Sequence, residues 1–192
     1  MKKILLYLLL VVTASSFIQS KEDKYLFWDF ESHLKWTDFH GHIKPDDEHA
    51  ASASYIGFFH KIRRCEHRDS VLLDTRTFFN KTASWVRVPA VNPSLLLHEQ
   101  RHFDLTELYA RHFRKALQQL PVKENFLSLQ VDSVYKYYTA KCDSMHVVYD
   151  FETNHGLNPI EQFKWNEYIR YNLLAMNEYE PAYFKIAVQR IR

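Results

Sequence analysis

Five consecutive residues, His98-Glu99-Gln100-Arg101-His102, bring two imidazoles and a carboxylate together at a spacing with chemical meaning. On an α-helix, residues four apart sit about 40° from each other in projection and one turn apart in height. His98 and His102 can then offer ring nitrogens to one ion. Glu99 falls about 100° further round the helix, flanking that ion instead of ligating it. A general base must stand there to take a proton from a water activated by zinc, and HExxH on a helix carries this geometry.

Two imidazoles do not complete a catalytic zinc site, which takes a third protein ligand and leaves one position to water. His112 shares the helix face but lies about 15 Å further up the axis. Glu107 projects about 180° away from His98, and no glycine follows His102 to bend the chain back. The third ligand is therefore expected from a later segment. His155, in Thr153-Asn154-His155-Gly156, sits in a break between helices, where Gly156 can turn and let the backbone approach the ion. Glu152 is the alternative, a carboxylate contributed by a following helix. Tyr149 is a candidate catalytic residue, able to donate a hydrogen bond to the oxyanion of a tetrahedral intermediate. Asp104 or Asp150 can accept the second ring N–H of a ligand histidine and fix its tautomer.

The elements that must hold these groups change character midway along the chain. Residues 51–62 and 70–79 read as strands, residues 84–88 as a short third one, with a turn at Asn80-Lys81-Thr82. Asn92-Pro93-Ser94 then reads as a helix start, an N-cap candidate followed by proline at the first helical position. Residues 95–120 run without Gly or Pro until Pro121 stops them, with apolar residues at helical spacing. A second helix is expected from residue 124 to 145 or beyond. A third follows at 160–178, with Trp165 packing it onto the histidine-bearing helix. The expected architecture is α+β: a small N-terminal antiparallel β-sheet packed on a C-terminal helical bundle.

Composition narrows the function classes. The chain has 192 residues, 46% hydrophobic and 16% aromatic, enough for one folded domain with a substantial core. Three glycines and no GxGxxG or GxxxxGK[ST] pattern argue against dinucleotide and P-loop sites. A net charge of +2 without a clustered basic face gives no case for nucleic acid. At the N-terminus, Lys2 and Lys3 precede an unbroken apolar stretch at 4–12, followed by Ala14, Ser15 and Ser16. This is the layout of a secretory signal peptide over residues 1–20, cleaved between Ser16 and Lys21. The mature chain, 21–192, would then be periplasmic or extracellular. It would touch the membrane only through the signal segment if that segment stays uncleaved. Export also permits a disulfide between Cys65 and Cys142.

The segment Leu96-Leu97-His98-Glu99-Gln100-Arg101-His102-Phe103-Asp104 resembles the HEQGHFD motif of the bacterial DUF922 family, described as predicted secreted zinc-dependent proteases. Tyr149-Asp150-Phe151-Glu152-Thr153-Asn154-His155-Gly156 is similar to that family's second signature, a Tyr-Asp then Thr-x-His-Gly pattern. The resemblance implies a zincin-like metallopeptidase domain. It further implies Zn2+ on His98, His102 and His155, Glu99 as general base, and a peptide or protein substrate. Arg101 stands where the family has glycine, which could narrow the cleft or bring a cation to the substrate carbonyl. Other expected outcomes are a zinc amidase acting on cell-wall peptides and an exported zinc-binding protein without catalysis.

Overall fold

The structure is a computed structural model and describes residues 24–31, 33–43, 50–64 and 69–189. The expected signal segment and Cys65 lie outside the described residues. In chain order the elements are β1 (Tyr25–Phe27), β2 (Ser52–Ala53), β3 (Ile56–Arg64), β4 (Ser70–Asn80) and β5 (Trp85–Val86). There follow α1 (Pro93–Gln119), β6 (Val122–Lys123), α2 (Leu127–Thr153), α3 (Pro159–Ala175) and β7 (Tyr183–Gln189). No helix among the described residues is long and apolar enough to cross a membrane.

β4 is the spine of the main sheet. One edge pairs antiparallel with β3, from Ile56↔Phe79 to Arg64↔Val71. The other edge is shared by β1 at Phe78–Asn80 and by β7 at Ser70–Asp74, both antiparallel. β7 alternates exposed and buried residues along its length, with Phe184, Ile186 and Val188 facing the core, as a half-buried strand does. β2 and β5 form a separate two-stranded ribbon with Ala53 opposite Trp85. The α+β class is as expected, but the sheet is not confined to the N-terminal half. β7 and β6 come from the helical half, and their pairing is parallel. The third strand expected at 84–88 is shorter and leaves the main sheet for β2.

α1 is the central helix. Asn92 caps it, its side chain accepting from the Leu95 N–H at 2.8 Å, and Pro93 occupies the first turn where a missing N–H costs nothing. Phe113 and Leu117 pack against Leu73 and Ile186 of the sheet. Leu105 and Leu108 pack against Trp165 and Ile169 of α3, so Trp165 joins those helices as expected. A helix covered on every side can carry polar residues only if they are paired. Glu107 meets that condition: it accepts from Arg111 Nε at 3.0 Å, Arg114 Nη1 at 2.8 Å and Thr77 Oγ1 at 2.7 Å. The guanidinium groups also donate to the carbonyls of Leu173, Thr75 and Tyr179, tying α1 to α3, β4 and the turn before β7.

Candidate metal centre

Two turns nearer the start of α1, His98 and His102 stand one above the other with their Nε2 atoms 3.2 Å apart. α2 runs alongside, and Asp150 reaches across from it. Its Oδ1 lies 3.0 Å from His98 Nε2 and 2.9 Å from His102 Nε2. These three residues form a group able to hold a metal ion, their donor atoms all within 4.8 Å of one another. Burial opposes the charge on Asp150, but hydrogen bonds from His102 and His98 outweigh it and hold the carboxyl well below its usual range.

Each imidazole is held from behind. His98 Nδ1 lies 3.1 Å from Gln162 Oε1 of α3. Gln162 Nε2 donates to the Tyr149 hydroxyl at 2.8 Å, and that hydroxyl can donate back to the His98 carbonyl at 3.2 Å. The Tyr149 ring stacks on His98 at 4.6 Å between centroids. His102 Nδ1 faces His146 Nδ1 at 2.8 Å. Burial above all, with the neighbouring His102 adding to it, pushes the pKa of His146 down to about 3.

Glu99 flanks the pair. Its carboxylate accepts from the hydroxyls of Ser52 and Ser54, one on each oxygen, both at 2.5 Å. The β2–β5 ribbon thus fixes the orientation of Glu99. Glu99, His98, His102, Asp150, His146 and His155 all border one cavity of about 910 Å³, whose remaining wall includes Ala50, Ala51, Ala53, Leu95 and Leu157.

The placement of the expected residues divides. His98, His102 and Glu99 stand as α1 dictates. His155 lies beside the compact group and not within it. Its Nδ1 is 3.7 Å from Asp150 Oδ1, and the side chain is 74% exposed at the cavity mouth. The backbone explains this. Asn154, His155 and Gly156 are consecutive left-handed residues at φ 49°, 53° and 80°, so α2 ends in a tight reversal that turns the His155 ring outward. That reversal presses Gly156 onto His98: a Cβ there would lie 3.0 Å from His98 Cβ and Cγ, and only glycine allows the approach.

Glu152 is turned to the far side of α2, where it accepts from Trp165 Nε1 at 2.8 Å. Tyr149 does not serve the oxyanion as expected, because its hydroxyl is buried behind His98 and committed to the His98 carbonyl and Gln162. Asp104 does not support a ligand histidine either; it accepts from Trp28, Gln100 and Arg101. Arg101 leaves the cleft for Asp104 and Asn166. Cys142 is a free, buried thiol, with its Sγ 3.4 Å from His146 Nε2 and its pKa pushed up to about 12 by burial; Cys65, the partner that export would permit, lies outside the described residues.

Sequence reasoning left out His146 and gave Asp150 a supporting role. The available signal was the four-residue spacing of Cys142, His146 and Asp150, which puts all three on one face of α2. Residues 80–156 match a family model described as a bacterial protein of unknown function (DUF922). No curated protein and no solved structure matches the chain.

Proposed function

Taking membership of the DUF922 family as the premise, we propose that this chain is an exported zinc metallopeptidase. In this reading His98, His102 and Asp150 hold the ion, and Glu99 is the general base. The observation that carries it is the convergence of two imidazole nitrogens and a carboxylate oxygen beside a serine-clamped glutamate in one cavity. Two nitrogens and one oxygen suit zinc and leave a coordination position for chemistry. The same donor set also serves ferrous iron. The neighbouring Glu99, fit for proton transfer and not for redox chemistry, favours zinc. Zinc bound there supplies Lewis acidity, lowering the pKa of a water towards neutrality and polarising a carbonyl.

The chain's own residues do the rest. Glu99 takes a proton at one carboxylate oxygen and returns it to the leaving amine, exchanging one serine hydroxyl for the reacting group as it does so. Gln162 and Tyr149 keep the His98 ring from rotating, acting as positioning residues. His155 stands at the mouth of the site, its Nδ1 3.7 Å from Asp150 Oδ1. Glu99, Asp143 and Asp150 make the cavity acidic, and no Lys or Arg stands among its described lining residues. Its preferred occupant is therefore a neutral or basic peptide, with the small Ala50, Ala51 and Ala53 leaving room for an apolar side chain.

The decisive test is Glu99→Gln: zinc content stays at wild-type level and cleavage of a peptide library disappears. Retained cleavage removes Glu99 from the mechanism. A wild-type protein that binds zinc and cleaves nothing, cell-wall peptides included, leaves the non-catalytic reading in its place. For the ligand set, Asp150→Ala weakens zinc binding more than His155→Ala in chelator competition. The reverse order would restore His155 as the third ligand.

A further inference from the structure

The metal cavity has a neighbour. Ile56, Asp143 and His146 border it on one side and, on the other, a second cavity of about 290 Å³. That second space lies where α2 passes the edge of β3 that pairs with no other strand among the described residues. Phe58, Phe59 and Phe78 of the sheet face Tyr135, Thr139 and Cys142 of the helix across it. Two local features keep it open. The Tyr135 hydroxyl donates to the Phe58 carbonyl at 2.7 Å, which satisfies a polar group on the strand edge and sets the gap between strand and helix. Gly57 pairs with Phe78, and the Phe78 ring lies close over it: a Cβ at 57 would meet Phe78 Cζ at 3.2 Å. Glycine therefore serves a close approach here, and a larger residue would displace the wall.

The walls select the occupant. Asp143 is the one carboxylate among the described lining residues, it stands at the boundary with the metal cavity, and no Lys or Arg is present. The hydroxyls of Thr106 and Thr139 are already donated to the carbonyls of His102 and Tyr135. Aromatic and aliphatic surface is what remains to be offered. The space is smaller than pockets that enclose whole drug-sized ligands, about 300–1,000 Å³, and suits a single large side chain.

We propose that this pocket is a side-chain subsite, taking a leucine or phenylalanine from a peptide whose backbone lies in the metal cavity. The side chain enters past Asp143, which repels an acidic residue at the threshold. That the occupant belongs to a substrate rests on the peptidase reading; apolar recognition by the pocket does not. Alanine at the same position leaves the pocket empty and forfeits the burial, a difference of about 10–100-fold in kcat/KM.

Two measurements separate the subsite from the activity. Binding is read on the wild-type protein with 13C-labelled isoleucine and threonine methyls, titrated with N-acetyl-leucinamide, N-acetyl-phenylalaninamide and N-acetyl-alaninamide. The first two shift the Ile56 and Thr139 methyl signals saturably and the third does not; signals that stay in place, or that respond equally to all three, overturn the subsite. Cleavage is read as the ratio of kcat/KM for peptides that differ only by leucine or alanine at one position beside the scissile bond. The wild type favours leucine by the factor above at one such position, and Thr139→Trp, which fills the pocket from α2, brings the ratio close to one. A ratio unchanged in a Thr139→Trp protein that holds wild-type zinc content overturns the subsite, as does a wild type with no leucine preference. Saturable methyl shifts in a protein that cleaves no peptide keep the pocket and remove the peptidase reading instead.

Discussion

α1 carries two sets of buried ionisable side chains, and the molecule completes them in opposite ways. Around Glu107 the charges are answered from within: two guanidinium groups and a threonine hydroxyl surround one carboxylate, and backbone carbonyls of Leu173, Thr75 and Tyr179 accept from other guanidinium N–H groups. Around His98 and His102, three carboxylates border the cavity, no Lys or Arg stands among its described lining residues, and three donor atoms converge. The first set is closed and holds layers together. The second opens onto a cavity and is a group able to hold a cation, which would offset clustered negative charge in a partly buried site. The same helix shows that a carboxylate matched by buried guanidinium groups is architecture, and one set among imidazoles beside a cavity is a candidate binding site.

Glu107→Gln breaks this contrast most severely. It strands Arg111 and Arg114 in the core and lowers unfolding free energy by about 3–5 kcal/mol, as loss of one partner from a buried ion pair does. Zinc affinity of the folded fraction stays unchanged. Denaturant titration with and without zinc checks both halves, and a variant that keeps full stability would show the cluster not to be structural. Gly156→Ala crosses the contrast, because it strains the left-handed backbone and pushes on His98 together. It costs about 1–3 kcal/mol of stability and also weakens zinc binding, so both readouts move in one variant. The smallest effect is an acid baseline from histidines outside both clusters. Burial lowers the pKa of His60, against Asp132, and of His112, with Lys115 adding to it. The unfolded chain then binds protons first as pH falls below the ordinary value of 6.5, and stability is lost as pH drops through that point. The thermal midpoint of the metal-free protein declines below pH 6.5, and His60→Gln flattens part of the slope. An unchanged slope would remove His60 from the account.

What could be read without the structure was local. The Asn92 cap, the length of α1, the histidine spacing and the strand segments that became β3 and β4 all follow from neighbouring residues, and so did the α+β class. Two things did not. β7 pairs with a strand more than a hundred residues away, and its alternation identifies a strand without naming its partner. The third donor depended on where α2 ends. Because the helix continues to Thr153, Asp150 stays on it and faces α1, while His155 falls into the left-handed turn beyond. Tyr149 and Asp150 are adjacent, yet a helical step of about 100° puts one behind His98 and the other in front of it. Composition cannot distinguish those faces; only the packing of α2 against α1 does.

β4 and β7 are zipped together from Ser70↔Ala187 to Asp74↔Tyr183, and all three helices lie in the stretch of chain between them. The ladder therefore acts as a clasp on the excursion that contains both halves of the donor set. Much of the entropy needed to bring Asp150 beside His98 is surrendered when the clasp shuts, before any ion arrives. Amide exchange along β7 would then be slow in the metal-free protein and slower still with zinc, reporting at a distance on a site that it never touches.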